Sequence, residues 1–258
     1  MSRLLTRRGF LGVSTAGAGT LLLGGCDRLT QSDGVQRVLR VAESVTMGAQ
    51  RALLSQGALA REFGEDDLSP VFKSNGTSLP EGEEYARMMA TKFTDWRLGI
   101  DGLVQRPLSL SLADLKNLPS RTQITRHDCV EGWSAIGKWT GVPLGLLLQT
   151  AGLAANARYV VFRCADALEQ TLDSSGQYYE SLDLADAFHP QTILAYSMNG
   201  VDLPVAHGAP LRLRVERQLG YKHAKYLMRI EVVDSFTRIG LGNGGFWEDR
   251  GYEWYAGI

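Results

Sequence analysis

Two hydrophobic periods alternate along this chain, and the expected elements follow from them. Between Gln36 and Ser55 the apolar positions Val38, Val41, Val45, Ala49 and Leu53 keep the three-and-four spacing of one helical face. That face is expected to pack on the core rather than lie on a membrane surface. Gly57, Gly64 and Pro70 interrupt the pattern, and Asp66–Thr77 is a turn-rich approach segment in which Asn75-Gly76 suits left-handed backbone. Trp96–Val104 then alternates with period two, as a strand does, and Pro107–Leu110 is a second short extended piece. Ser111 is placed to cap a short helix ending near Leu118.

Farther along, Gln123–His127 leads into Cys129, and Trp139–Leu144 turns into a helix that Gly152 ends. Tyr159–Cys164 is a β-rich run, Leu182–Ala187 reads as a short helix, and Ile193–Met198 with Asn199-Gly200 reads as a strand and bend. Leu211–Val215 alternates strictly, which sets Arg212 and Arg214 on one face and three apolar residues on the other. Met228, Ile230 and Val232 mark a last strand with its apolar side inward. Short strands and short helices outside a regular βαβ order indicate an α+β fold, and the absence of repeats or linkers indicates one compact domain.

Composition narrows the picture. With 258 residues and a net charge of −1, the chain can bury a core and carries no basic surplus for nucleic acid. Residues 1–25 read as a signal peptide: Arg7-Arg8 precede an apolar, glycine-rich stretch from Val13 to Leu23, too short to favour a permanent span. Paired arginines indicate the twin-arginine route, and Leu23-Gly24-Gly25-Cys26 looks like a lipobox, so Cys26 is expected to carry a lipid that holds the protein to the inner membrane, facing the periplasm. Residues 26–70 are then a tether with its amphipathic helix, and 71–258 the functional domain.

The candidate chemistry centres on Arg126-His127-Asp128-Cys129-Val130-Glu131-Gly132-Trp133-Ser134. A thiolate is a soft donor for a transition metal, and the neighbouring Arg126 or His127 is expected to lower the thiol pKa. The plain alternatives are a buried core thiol or a disulfide from Cys129 to Cys164. Arg212 and Arg214 have theirs too, an ordinary solvated strand face.

Beside that segment stand Asn199–Pro204, His207-Gly208-Ala209-Pro210-Leu211-Arg212 and Gly220-Tyr221-Lys222-His223-Ala224-Lys225. Together they resemble the sulfite oxidase family of molybdenum enzymes, in its bacterial catalytic-subunit type that includes periplasmic protein-methionine-sulfoxide reductases. The resemblance runs from about Phe72 to the C-terminus and includes the tail Gly245–Tyr252. It implies a mixed-sheet molybdopterin-binding fold and a molybdenum–molybdopterin cofactor without a nucleotide. It also implies that Cys129 is the single protein ligand to molybdenum, and that Arg212, His223 and Lys225 hold the pterin phosphate. His207, Cys164 and, less directly, Asn75 match further cofactor-contacting positions. Cys164 stands where those reductases have threonine and His207 where they often have asparagine, departures that bear on the substrate.

The implied reaction is two-electron oxygen-atom transfer to or from a small oxo-substrate or sulfoxide. With no haem domain in view, electrons would pass through a separate partner such as a membrane haem protein or a c-type cytochrome. Two other classes are open to the residues themselves: a hydrolase using Cys129 as nucleophile, and a metal-free lipoprotein binding module.

Overall fold

A computed structural model describes residues 32–53, 57–171 and 176–258, so the expected signal peptide and Cys26 lie outside the described residues. The chain divides into two compact units, Met1–Leu53 and Leu54–Ile258. In the first, helix α1 spans Asp33–Leu53, as the periodicity predicts. Val38, Val41, Val45 and Leu53 lie on its apolar face and are exposed. Among the described residues no helix is long and apolar enough to cross a membrane.

The second unit begins with an extended segment pinned to its neighbours: Phe63 donates its backbone N–H to the Ile124 carbonyl at 2.9 Å, and Gln191 bonds both backbone groups of Ala60. Helix α2 (Glu83–Ala90) follows, with Tyr85 and Met88 turned into the core. Then come strands β1 (Arg97–Gly102) and β2 (Leu108–Ser111). Helix α3 (Leu112–Asn117) starts where the sequence predicts, because the Ser111 hydroxyl accepts the Asp114 N–H at 3.0 Å and Asp114 returns the bond.

Strands β3 (Arg121–Asp128) and β4 (Ser134–Pro143) form a long antiparallel hairpin, and helix α4 (Leu144–Ala151) ends at Gly152 with φ of 70°. Strands β5 (Tyr159–Ala167) and β6 (Gln177–Asp183) pair next. The helix predicted from Leu182 begins only at Leu184, as α5 (Leu184–Ala187), because Leu182 and Asp183 complete β6 and Asp183 caps the turn. Strands β7 (Ile193–Met198), β8 (Val201–Asp202), β9 (Arg212–Arg214) and β10 (Leu227–Val233) complete the order.

One sheet runs β2-β1-β10-β5-β6 and is mixed, since β1 lies parallel to β10. The other is antiparallel, β3-β4-β7-β8, with β9 also on β7. The larger core lies on the mixed sheet and takes in Leu98, Ile100, Val160, Phe162, Ile230 and Val232 with Leu144, Leu147 and Leu148 of α4. A smaller one joins Trp139, Ile193, Ala195, Met198 and Leu203.

Strand β9 lies where these two cores meet. Leu211 and Leu213 enter the larger core, while the guanidiniums of Arg212 and Arg214 lie 4.9 and 4.4 Å from the Trp139 ring centroid. The alternation is the expected one, but the arginine face is wholly buried, so the solvated-face reading fails.

The contact of β4 with β7 tolerates no side chain at Gly141. A Cβ there would lie 2.1 Å from the Leu194 carbonyl oxygen, backbone that cannot move without parting the strands. Gly141→Ala is therefore expected to cost about 2–4 kcal/mol, a fall of roughly 4–16 °C in melting temperature for a unit of this size. Thermal unfolding followed by circular dichroism checks it.

Candidate active site

Cys129 is the first residue beyond β3, at the tip of the β3–β4 hairpin. The turn closes through the Cys129 N–H bonded to the Trp133 carbonyl at 2.9 Å and the Gly132 N–H bonded to the Cys129 carbonyl at 3.0 Å. Gly132 holds φ at 83°, a left-handed geometry that glycine takes without strain. Asp128 fixes the base of the turn by accepting from Arg126 at 3.0 Å and from the Ser134 hydroxyl. Behind it Phe72 packs among His127, Trp133, Trp139 and His207, with ring centroids 5.4 to 6.2 Å away. The approach segment and the hairpin are thus locked by aromatic contact.

The tip opens on a cleft with about 660 Å³ of empty space. Cys129, Val130 and Glu131 border it with Asn75, Gly76 and Thr77 of the approach segment, Asp166 of β5 and Leu168 just past it, and Tyr178 of β6. Gly220, Tyr221, His223 and Lys225 come from the loop before β10, and Trp247 and Tyr252 from the tail. Of the seven residues singled out in the sequence, Asn75, Cys129, His223 and Lys225 therefore share one cleft. Cys164 and Arg212 are buried close to it without lining it, and His207 is half-buried against Phe72.

Both Cys129 and Cys164 are free and buried, so the disulfide alternative is not realised. Burial raises the Cys129 thiol pKa, the Glu131 carboxylate adds to the rise, and backbone N–H groups of Glu131 and Val130 oppose it. The expected lowering by Arg126 or His127 does not occur. Arg126 is spent on Asp128. Burial and the neighbouring Arg214 and Arg212 push the His127 pKa well down, so its ring is neutral. Cys164 is pushed up by burial and by Asp166 and Glu180.

Charge behind the cleft is unbalanced. Arg214 binds both oxygens of Glu216, at 2.9 and 2.6 Å, and donates at 3.0 Å to Nδ1 of His127. An arginine only donates, so the His127 proton sits on Nε2, which has no partner. Arg212 beside it has no carboxylate partner among the described residues. It donates to the His207 carbonyl at 3.0 Å and the His223 carbonyl at 3.4 Å, and its Nε is unpartnered. Burial and Arg214 press Arg212 down to about 9, still protonated at neutral pH. Burial, Arg212 and Lys225 hold His207 at about 4, hence neutral.

Lys225 departs from its expected use. Its ammonium donates to the carbonyls of Asn75 at 2.7 Å, Thr77 and Ala206 at 3.3 Å, so it clamps the approach segment rather than reaching freely into the cleft. Burial and Arg212 lower it to about 7, against the pull of Asp166. His223 turns Nε2–H to the Gln218 carbonyl at 3.0 Å, which leaves a buried lone pair on Nδ1.

These orphaned atoms, the open thiol and the surplus cation fit a cofactor that brings a metal, an anionic group and polar ring atoms. Among the described residues no cluster of three or more His, Cys, Asp or Glu could hold a metal ion by itself. A metal at Cys129 would draw its other ligands from the cofactor.

Sequence reasoning missed Asp166 and Tyr178, which no motif marks. It also missed the buried triad in which Lys222 pairs with Glu180 at 2.6 Å and with Glu248, tying the cleft loop to β6 and the tail. Burial and Glu248 raise the Glu180 pKa, with Lys222 opposing, and the Lys222 pKa is raised by its two carboxylates against burial.

Comparison with known proteins names the class. Residues 85–238 match the family described as the oxidoreductase molybdopterin binding domain. The chain is 38% identical, over 98% of its length and 88% of the relative's, to a protein of Azospira oryzae provisionally named protein-methionine-sulfoxide reductase subunit YedZ1. It is 36% identical over 63% of its length to the protein-methionine-sulfoxide reductase catalytic subunit MsrP of Xanthomonas axonopodis, spanning about half (52%) of that protein. The sulfane dehydrogenase SoxCD of Paracoccus pantotrophus overlaps 55% of this chain and 39% of its own at 26% identity and a TM-score of 0.49. The chain belongs to the molybdopterin-binding oxidoreductases of the sulfite oxidase type, and is an enzyme.

Removing Lys222 would strand two buried carboxylates. Lys222→Met is expected to lose about 3–5 kcal/mol at pH 8. Glu180, with its folded pKa raised, then stabilises least above that pKa and regains stability as pH falls and it protonates. Denaturant unfolding at pH 5 and pH 8 checks the sign: the deficit shrinks at the lower pH.

Proposed function

We propose that this enzyme is an exported, lipid-anchored catalytic subunit that reduces sulfoxides in the periplasm with electrons from a separate haem protein. The observation that carries the reading is Cys129, an unbridged thiol at a rigid hairpin tip, facing a cleft backed by an uncompensated cation. Oxygen-atom transfer with two electrons is the chemistry that the bound molybdenum–molybdopterin cofactor supplies. The choice of sulfoxide rests on the relatives named for protein-methionine-sulfoxide reduction. The cofactor is taken without a nucleotide, as the sequence resemblance implies.

The chain's part is to bind, orient and exclude water. Cys129 is the residue that would hold the metal, through one sulfur bound as its thiolate, although burial alone favours the thiol. One protein ligand leaves the rest of the metal's surroundings to the cofactor and the substrate. Arg212 gives the phosphate a charge to settle against, and His223 and His127 offer an acceptor and a donor. Asn75 is held at the cleft edge by Lys225 through its carbonyl. Val130, Leu168, Tyr221, Trp247 and Tyr252 give the cleft apolar walls, suited to a thioether flanked by carbon. Reduction of a sulfoxide to a sulfide and water consumes two protons and two electrons.

Against the hydrolase reading, His127 turns its acceptor nitrogen to Arg214 and is no base for the Cys129 thiol.

Export and anchoring rest on the paired arginines and the Leu-Gly-Gly-Cys sequence ending at Cys26. Replacing Cys26 by Ser is expected to move the protein from the membrane to the soluble periplasmic fraction, with activity retained. Fractionation that finds it on the membrane as before would exclude the lipid anchor.

The cofactor reading is tested on the purified protein by elemental and pterin analysis, with about one molybdenum expected per chain. Cys129→Ser should lose sulfoxide-dependent oxidation of a reduced dye by at least ~1,000-fold, the scale on which a group acting in the transition state matters. It should retain most of its pterin. A fully active serine variant would refute the role of Cys129.

A further inference from the structure

Helix α1 turns an apolar face to solvent. Val38, Val41 and Val45 are 59 to 67% exposed, and Leu39 and Leu53 are exposed beside them. At 3.6 residues per turn these five positions spread over an arc of roughly 160°, with Thr46 the one polar side chain among them. By the same spacing Arg37, Arg40 and Arg51 fall on the other side of the helix, and Glu43 is the one acidic residue past the first turn. A helix of this length is marginal in water by itself, and covering such a face is what stabilises it.

The neighbouring sequence says what the cover is. Cys26, expected to be lipidated, stands seven positions before Asp33. Fully extended, that stretch reaches at most about 25 Å. A lipid on Cys26 therefore holds the start of α1 close to the headgroup layer, where insertion of the apolar face is intramolecular and needs little affinity. Spanning is excluded, since among the described residues no helix is long and apolar enough to cross a membrane. A wide apolar arc opposite a charged one, with modest overall hydrophobicity, is instead the pattern of a helix lying in the interface. The arginine side suits anionic headgroups, whereas a seam between two helices would use a narrower stripe. We infer that α1 lies along the membrane surface with Val38, Val41, Val45 and Leu53 among the lipid chains. The chain then leaves the bilayer at Leu53, about 32 Å along the surface from Asp33. The inference rests on the lipid anchor proposed above. A face of valine and alanine binds lipid weakly, so α1 alone does not hold the protein through fractionation; the lipid is the anchor, and the helix sets where the chain departs.

The test follows backbone hydrogen exchange of residues 33–53 by mass spectrometry in the cofactor-loaded enzyme. Lipidated wild type on protein-free vesicles of phosphatidylethanolamine and phosphatidylglycerol is compared with Cys26→Ser protein in vesicle-free buffer. Exchange is expected to be about 10-fold or more slower on the vesicles. Lipidated Val41→Glu/Val45→Glu on the same vesicles should exchange as fast as the vesicle-free protein, while Ser44→Gln, on the arginine side, should keep the protection. Fast exchange with and without vesicles would overturn the inference, and so would protection that survives the two glutamates. Slow exchange already present in vesicle-free Cys26→Ser protein would overturn it too, for the face would then be covered by protein, the core packing expected from its periodicity. The intact mass of the wild type reports separately on Cys26. If it shows no acyl chains, the anchor reading falls and this inference with it; a lipidated protein whose helix stays unprotected overturns this inference alone.

Discussion

The structure depends on a charge that the protein does not neutralise. Two guanidiniums, Arg212 and Arg214, lie near Trp139, and the one carboxylate beside them, Glu216, pairs with Arg214 alone. Arg214 takes both of its oxygens. Arg212 is left with two backbone carbonyls, fully buried, in a setting where an unpaired charge is expensive. A fold keeps such a residue when something else supplies the countercharge. An anion in the adjacent cleft would do so, and its binding energy would add to the stability of the loaded protein.

Around that charge the surrounding elements act as clamps. The β3–β4 hairpin presents Cys129, Phe72 locks the approach segment against it, and Lys225 binds the same segment through two of its carbonyls, those of Asn75 and Thr77. The Lys222 triad fixes the loop that carries Tyr221 and His223 to the tail that carries Trp247. Each wall of the cleft thus hangs on a buried ionic or aromatic contact with a residue distant in sequence. A site held this way is ordered before its cofactor arrives, so binding loses less to the ordering of side chains.

Much of the fold was legible in the chain, and the exceptions have physical causes. Helix α1, the Ser111 cap, the end of α4 at Gly152 and strands β1, β5, β7 and β10 follow from apolar spacing and turn residues. Strand β3 was harder, because its buried face is polar: Gln123, Thr125 and His127 point inward, inverting the usual pattern. Strand β9 showed its alternation but not its burial, since arginines normally face water and these two find an indole instead. In the site, Cys129 and the Gly220–Lys225 loop stood out as motifs. Asp166 and Tyr178 did not, because an aspartate or tyrosine near a strand end is ordinary until the fold shows that it lines a cleft. The ionisation of Cys129 was misjudged for a related reason: adjacency in sequence put two cations beside it, and in space one is paired and the other neutral.

The most direct measurement is the thermal stability of the cofactor-free protein as inorganic phosphate is added at constant ionic strength, compared between the wild type and Arg212→Met. If the buried cation awaits an anion, the wild-type melting temperature climbs with phosphate until the site saturates, while the variant, rid of its unpaired charge, stays flat. Equal response in both proteins, or none in either, would contradict the account.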